Sequence, residues 1–279
     1  MAEFLLEVGF EEMPAPWLPG LAEQLGRRFA EAAGREFLEP DDVQVFHTPR
    51  RLVLRADVLS RQADREEQVW GPSLKVAKDA GGRWTGAAQG FARKCGVAAE
   101  DLRTGVKDPA KPGESHLLFV RKTAGLPAGE VLATAIASGL RGLGFPKRMS
   151  WDAWLDDGKG AFPFGRPVRW LIAMLDGTVI PFVIYALVDG AKGPARVASG
   201  SSTVGHRFLP KGAAGAPHAV RSFVELRDAL RRSFVLLDPA ERAARIDEGL
   251  AVAAKGAPPR DDHGLLAEWR DLVEYPTVL

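Results

Sequence analysis

The sequence predicts an α+β protein, in which a mixed or antiparallel sheet with helices is followed by a mainly helical C-terminal segment. β-Rich apolar runs are concentrated in the middle of the chain, and helical periodicity is concentrated towards its end. Strands and helices do not alternate as in a doubly wound fold. We expect an N-terminal strand–helix–strand segment (1–60), an α+β core with a central hairpin (61–218) and a helical segment (219–279).

The first three elements follow from apolar periodicity. The run FLLEVGF (4–10) predicts a short strand, and prolines mark the loop after it. The helix that follows, to about residue 38, has apolar residues at steps of three and four. RLVLRADVLS (51–60) alternates between apolar and polar residues, which predicts a half-buried strand.

Shorter signals define the next part of the chain. DAGGRW (79–84) predicts a turn, and residues 85–95 predict a short helix that Gly96 terminates. HLLFVRKT (116–123) is typical of a strand, and residues 127–143 are typical of a helix with one apolar face.

A hairpin is the clearest local signal. The apolar runs 168–175 and 178–188 flank Asp176-Gly177, a pair that favours a tight turn because both central residues need positive φ. The runs are apolar on both faces, so we expect other elements to cover the sheet on both sides. A Gly-, Ala-, Ser- and Pro-rich stretch then predicts a long loop (189–218). After it we expect helices at about 219–235, 239–254 and 263–273, with a proline-rich break at 256–262 before the last.

Composition excludes several classes of protein. The 279 residues are 46% hydrophobic and 26% charged, which suffices for a sizeable core. The net charge of +1 excludes a uniformly basic nucleic-acid binder, although residues 1–48 hold ten acidic and only three basic residues. Cys95 is the single cysteine and reads as a small half-buried helix residue. No signal peptide or apolar run of about 20 residues is found, so we expect a cytoplasmic protein without a membrane partner.

Motifs for catalysis or metal binding are missing. The sequence has no Walker loop, no GxGxxG after a strand and no nucleophile elbow, and its five histidines lack metal-ligand spacing. We therefore predict no catalytic residue and no metal site. Glu11-Glu12 could form a catalytic pair, but a solvated turn or a partner contact is favoured. Asp152, Asp156 and Asp157 could hold a cation, but a polar loop is favoured.

Basic residues recur beside proline or glycine. Arginine's planar fork suits phosphate oxygens, and a neighbouring aromatic ring can stack on a base. A stiff backbone reduces the entropy lost when such a side chain is fixed against a ligand. The competing interpretation is that Arg51 and Arg55 are only the solvated face of a strand. The candidate RNA-binding residues are Arg50, Arg51, Lys147, Arg148, Arg166, Arg169, His206 and Arg207.

The same stretches resemble the beta subunit of the bacterial two-subunit glycyl-tRNA synthetase. The similarity extends in order over essentially the whole chain. Two positions depart from the family's opening motif: Phe10 replaces the usual Thr, and Met13 the usual Leu. The matching segments are LLEVGFEEMPAP (5–16), FHTPRRLVLR (46–55), GPSLKVAKDAGGRWTGAAQGFARKCGV (71–97), FPKRMSWD (145–152), FGRPVRWLIAMLDGTVIPF (164–182), GHRF (205–208) and LVEYPTVL (272–279).

The resemblance implies that two different subunits of the enzyme have different roles. It implies a longer subunit that continues past Leu279, and a separate alpha subunit that binds glycine and ATP with magnesium and performs the chemistry. The chain would then need no cofactor of its own and would be inactive alone. Its implied partners are tRNA(Gly) and the alpha subunit, in an assembly of two alpha and two beta subunits.

Three roles remain open at this point. The chain could bind tRNA through the basic residues, or it could be a scaffold that docks the alpha subunit with little RNA contact. Seven tryptophans offer anchors for such an interface. A hydrolytic editing site, suggested by analogy with phenylalanyl-tRNA synthetase, is disfavoured because a glycine pocket excludes larger amino acids sterically.

Overall fold

The structure is a computed structural model that describes residues 1–255 and 263–279. The chain divides into two compact units, one formed by residues 1–62 and 126–279 and the other by residues 63–125. The predicted boundary at residue 60 lies beside one junction, whereas the predicted boundary at residue 218 falls within the first unit. Pairing between strands far apart in sequence produces this division, and composition does not reveal such pairing.

The described elements confirm the α+β class. In chain order they are β1 (Ala2–Phe10), α1 (Leu18–Arg35), β2 (Asp41–Thr48), β3 (Arg51–Val58), β4 (Arg65–Ser73), α2 (Leu74–Ala77), α3 (Gly86–Cys95), β5 (Arg103–Val106), β6 (Ser115–Thr123), α4 (Ala128–Arg141), β7 (Val168–Leu175), β8 (Thr178–Val179), β9 (Val183–Val188), β10 (Ala191–Gly200), β11 (Ser202–Val204), β12 (Pro217–Ala219), α5 (Phe223–Arg232), α6 (Pro239–Ala253) and α7 (His263–Leu272). The C-terminal region is mainly helical, as predicted.

Among the described residues, the first unit contains a mixed seven-stranded sheet. Its order is β2-β3-β1-β7-β10-β9, and β8 pairs with β7. Strand β1 is antiparallel to both of its neighbours, with Gly9 opposite Arg51 on β3 and opposite Trp170 on β7. Strand β10 runs parallel to β7 and antiparallel to β9. The register therefore brings residues 9, 51 and 170 side by side at one end of the sheet.

Both faces of this sheet are covered, as the apolar runs predicted. Helices α1 and α4 pack on the face that carries Phe4, Leu6 and Val8. Helix α5 packs on the other face with Leu5 and Val53. The prediction of a half-buried β3 holds at Arg55 and Asp57, which are partly exposed, and fails at Arg51 and Val53, which are buried on the other face of the strand.

The predicted hairpin is correct at its turn and wrong in its second strand. Asp176 and Gly177 have φ values of 45° and 74°, as a tight turn of this kind requires. Strand β8 is only two residues long, and β9 pairs with β10 instead of β7. Pro181 has no N–H to donate to the ladder, which is consistent with the chain leaving β7 there. The predicted loop 189–218 is correct for residues 205–216 but not for the whole stretch, because it also contains β10, β11 and the first two residues of β12.

Most predicted helices are confirmed. Gly96 ends α3 in the left-handed conformation, with a φ of 74°. Asp238 caps α6 by accepting a hydrogen bond from the backbone N–H of Ala240. Strands β2, β4 and β5 were not predicted from the sequence. The predicted break at 256–262 lies outside the described residues.

The second unit is small. Its three described strands form a sheet in the order β4-β6-β5, and α2 and α3 supply apolar side chains to its core. Cys95 is half-buried at the end of α3, as predicted. None of the helices in residues 1–255 and 263–279 combines the length and the apolar character that crossing a membrane requires.

Candidate functional site

One end of the large sheet is organised around a glycine. Gly9 has no side chain, and the Trp170 ring occupies the space above it. The Arg51 guanidinium carbon lies 5.2 Å from the centroid of that ring, and the Arg50 guanidinium carbon lies 5.4 Å from it. Both arginines are thus placed for cation–π contact with one tryptophan.

Arg51 is fully buried in an ionic network. Its guanidinium lies 2.9 Å from the Glu7 carboxylate and 3.1 Å from the Glu274 carboxylate, and it donates a hydrogen bond to Thr203 Oγ1. Thr48 Oγ1 donates to Glu274 at 2.7 Å. Arg51 therefore links the C-terminal segment to the sheet. Because its charge is neutralised internally, Arg51 is not available to bind phosphate.

Among the residues of this network, Glu7 is the one whose buried ion pair could have been predicted from the sequence. Burial raises the pKa of its carboxyl group, and the charge of Arg51 opposes that rise. A single acidic residue inside the apolar run FLLEVGF, on a strand covered on both faces, requires a buried partner. Periodicity does not say which arginine provides it. The roles of Gly9, Trp170 and Glu274 carry no comparable signal in the sequence.

A second buried ionic contact lies beside the first. His47 Nδ1 is 3.9 Å from Asp271, which is also 3.3 Å from the guanidinium of the buried Arg242. Burial lowers the pKa of Arg242 to about 10. Burial also lowers the pKa of His47 to about 4, and Arg242 and Arg270 favour the same direction while Asp271 opposes it. His47 is therefore neutral at pH 7.

Lowering the pH from 7 to 5 is expected to reduce the free energy of unfolding by about 2 kcal/mol through His47. In the unfolded chain this histidine titrates near pH 6.5, whereas its folded pKa is about 4. The unfolded state therefore gains a proton in this range and the folded state does not, so acid favours unfolding. Urea unfolding at both pH values measures the loss. An equal loss in the His47→Gln variant would contradict the prediction.

The first basic group consists of Arg50, Arg51, Arg169, His206 and Arg207. Apart from the buried Arg51, its members lie at or near the surface, at the same end of the sheet. Arg169 pairs with Glu11 at 2.6 Å. Arg207 lies 3.6 Å from Glu11 and 3.5 Å from Glu12. The hydrogen bond from Arg169 lowers the pKa of Glu11. The two adjacent acids thus form ion pairs with arginines of the same chain.

Arg50 and His206 are half-buried members of this group. Burial lowers the pKa of both side chains. His206 Nδ1 accepts a hydrogen bond from the backbone N–H of Phe208. The Arg50 guanidinium makes no ion pair with a carboxylate within 4.0 Å among the described residues. Arg50 is therefore held by an aromatic ring and not by an acid.

The second basic group is Lys147, Arg148 and Arg166. Lys147 and Arg148 are exposed on the segment after α4, and Arg148 donates a hydrogen bond to the Leu143 carbonyl at 2.8 Å. The Arg166 guanidinium carbon lies 5.7 Å from the centroid of a Trp17 ring. In the part of the chain that the structure describes, none of these three forms an ion pair with a carboxylate. This group presents positive charge that is not neutralised internally.

The loop between β1 and α1 (11–17) connects the two basic groups. Its Glu11 pairs with Arg169 of the first group, and its Trp17 lies against Arg166 of the second. The segments that carry the two basic groups are therefore neighbours in space, although they are far apart in sequence.

Comparison with known protein families shows to which family this chain belongs. The family model for the glycyl-tRNA synthetase beta subunit matches residues 4–279. The chain belongs to the glycyl-tRNA synthetase beta subunit family.

Curated relatives in this family cover the chain from end to end. A glycine–tRNA ligase beta subunit of Nitratidesulfovibrio vulgaris is 38% identical over 100% of this chain and 37% of its own length. That of Solidesulfovibrio magneticus is 37% identical, with the same coverage. The Limosilactobacillus fermentum relative is 36% identical over 99% of this chain and 36% of its own length. The chain thus spans somewhat more than a third of the length of these glycyl-tRNA synthetase beta subunits.

The two departures from the opening motif of glycyl-tRNA synthetase beta subunits lie in the core. Phe10 is fully buried, with its ring centroid 6.2 Å from that of Phe164, and Met13 is 3% exposed. Buried apolar side chains thus lie on either side of Glu11 and Glu12, which stay at the surface with their arginines.

The acidic loop of this glycyl-tRNA synthetase beta-subunit chain forms ion pairs. Each of its three carboxylates contacts a different basic residue: Asp152 with Arg196, Asp156 with Lys192, and Asp157 with Arg141. Within the described residues, no group of three or more His, Cys, Asp or Glu side chains is arranged to hold a metal ion.

Proposed function

We propose that this chain supports aminoacylation of tRNA(Gly) by holding the tRNA at the basic end of its large sheet. The relatives are named as subunits of glycine–tRNA ligase, which supports tRNA as the partner. The exposed charges of Lys147 and Arg148 carry the proposal, because unneutralised surface cations are what an RNA backbone binds.

The proposed phosphate-binding set is smaller than the set predicted from the sequence. Lys147, Arg148, Arg166 and Arg50 make no carboxylate ion pair in the described residues and can bind phosphate directly. Arg169, Arg207 and His206 lie beside them; the two arginines would exchange Glu11 and Glu12 for phosphate. Such an exchange replaces one charged hydrogen bond by another, so each arginine adds less net affinity.

The chemistry belongs to another subunit in this proposal. ATP, magnesium and glycine are bound by an alpha subunit, and this chain contributes RNA contacts and assembly. The relatives' name, beta subunit, supports a partner of this kind.

Replacing both Lys147 and Arg148 with alanine is expected to weaken tRNA binding about tenfold at low salt. The log–log dependence of affinity on salt should become shallower by about one unit per lost phosphate contact. Fluorescence anisotropy with labelled tRNA(Gly) at several salt concentrations measures both effects.

A charge-matched control is available at the opposite end of the sheet. Arg221 and Arg227 are exposed, and the backbone of Arg221 approaches the Asp176-Gly177 turn beyond the far end of β1. The Arg221→Ala/Arg227→Ala variant loses the same charge and should bind tRNA like the unmodified chain. Equal affinities of the two double variants would refute the proposed interface.

A docking role is the second candidate, and α7 carries the observation that favours it. Leu265, Trp269 and Leu272 are each more than 40% exposed on or at the end of this helix, which is unusual for a solvated helix. If the Lys147→Ala/Arg148→Ala variant keeps full tRNA affinity and the chain co-migrates with purified alpha subunit in size exclusion, docking becomes the favoured function.

A further inference from the structure

A cavity of about 470 Å³ opens at the basic end of the sheet. It lies among the loop after β1, the turn between β2 and β3, the GHRF segment and the chain after α7. Its volume is within the range of small-molecule sites, which are concave and carry a few convergent polar groups. Arg50, His206, Arg207, Phe208 and Tyr275 are among the residues that line it.

Arg50 lines this cavity and has unsatisfied hydrogen-bond donors. Its Nε and Nη1 atoms are shielded from solvent and have no hydrogen-bond partner among the described residues. Trp170 lies against the guanidinium. Leaving charged donors desolvated and unpaired is unfavourable, and an anion that accepts both bonds would remove that cost. Phosphate oxygens match the spacing of a guanidinium's donors.

The carboxylates that line the cavity are already used by other bases. Glu12 lies 3.5 Å from Arg207, and Glu274 lies 3.1 Å from the buried Arg51. Glu274 Oε2 is itself shielded and lacks a hydrogen-bond partner within the described part of the chain. The residues that line the cavity thus include unpaired donors on Arg50 and, separately, one unpaired acceptor on Glu274.

An aromatic surface borders the same cavity. The Phe208 side chain is 67% exposed, which is unusual for a phenylalanine, and the Arg207 guanidinium carbon lies 5.7 Å from its ring centroid. An exposed ring beside a cation is the arrangement on which unpaired bases stack.

We propose that this cavity binds one unpaired nucleotide of an RNA strand, with its phosphate on Arg50 and its base against Phe208. The inference rests on the proposed function and deepens it. The cavity would bind a single-stranded part of the tRNA, while the second basic group (Lys147, Arg148 and Arg166) binds the phosphate backbone of another part. A free mononucleotide has the same phosphate and base, so the test must separate the two sources.

The test uses the 279-residue chain and two probes, a labelled single-stranded RNA pentanucleotide and 5′-adenosine monophosphate. The chain should bind the pentanucleotide, and Arg50→Gln should weaken that binding tenfold or more, since charged hydrogen bonds are lost. Phe208→Ala should weaken it about fivefold or more through lost stacking. Arg50→Lys, which keeps the charge but loses the paired donors and the planar stacking group, should bind with an affinity between those of the unmodified chain and Arg50→Gln.

Matched controls lie on another part of the fold. Arg221→Gln and Val224→Ala remove an exposed arginine and an exposed apolar side chain near the start of α5, and should leave pentanucleotide binding unchanged. Phe208 is largely exposed, so its variant tests the site even if an Arg50 variant folds poorly. Wild-type affinity in folded Phe208→Ala would overturn the proposal.

The two sources and the two proposals are separated by comparing probes. Tighter binding of the pentanucleotide than of adenosine monophosphate supports an RNA nucleotide as the ligand, and tighter binding of the mononucleotide overturns that assignment. If Lys147→Ala/Arg148→Ala weakens tRNA binding while Arg50→Gln and Phe208→Ala bind the pentanucleotide normally, the nucleotide site fails and the proposed function stands. If Arg50→Gln and Phe208→Ala lose pentanucleotide binding while Lys147→Ala/Arg148→Ala keeps full tRNA affinity, the nucleotide site stands and the proposed backbone interface fails.

Discussion

Replacing Arg51 with methionine is expected to lower the free energy of unfolding by about 3–5 kcal/mol. Arg51 is fully buried between the carboxylates of Glu7 and Glu274. Methionine fills similar space but leaves two buried acids without their cation, and each must be protonated or remain an unpaired charge. Urea unfolding, followed by circular dichroism, measures the loss.

An exposed ion pair provides the matched control. Arg169 pairs with Glu11 at 2.6 Å with 59% of its side chain exposed, so Arg169→Met should cost less than about 1 kcal/mol. Adding Glu7→Gln to Arg51→Met should restore part of the stability, because it removes one of the unpaired charges. A loss for Arg51→Met as small as that for Arg169→Met would show that the network contributes little.

The second large effect is expected from Gly9→Ala, which should destabilise the fold by about 3 kcal/mol or more. A Cβ atom at this position would lie 1.9 Å from the Trp170 ring, a distance that no side-chain adjustment of a few tenths of an ångström can relieve. The ring must move, and it then loses its contacts with Arg50 and Arg51. Chemical unfolding measures the cost, and tryptophan fluorescence reports the displaced ring.

A glycine with open space around it serves as the control here. Gly20 lies in α1, and a Cβ atom added to it would meet no neighbouring side chain or strand within 4 Å, so Gly20→Ala should be neutral or stabilising by about 0.5–1 kcal/mol. Shortening Trp170 to leucine in the Gly9→Ala background should recover stability. If Gly9→Ala were as stable as the wild type, the position of the Trp170 ring would not require a glycine at residue 9.

The sequence predicted elements where local chemistry decides the backbone. Apolar residues at steps of three and four located α1 and α4, and Gly96 and Asp176-Gly177 marked a helix end and a turn because their φ values are set locally. It did not predict which strands pair. The segment 189–218 looked like a loop because β10 is rich in small and polar residues, and its place in the sheet comes from β7 and β9.

The candidate site shows the same division. Lys147 and Arg148 beside a proline could be proposed from the sequence, because an exposed cation needs no distant partner to define it. Arg51 could not be told from Arg50 in this way. One is buried between two carboxylates from residues 7 and 274, and the other faces a cavity, although they are adjacent in the chain.

By itself, the sequence determined the family, the α+β class and the basic character of several proline- and glycine-flanked segments. Each of these depends on residue identity and on spacing over a few residues. Only the tertiary structure decided which charges are neutralised, because neutralisation depends on contacts between residues far apart in the chain, such as Arg51 and Glu274. Short-range periodicity contains no information about such contacts. They depend on strand pairing, such as the register of β1 between β3 and β7 that places Gly9, Arg51 and Trp170 side by side.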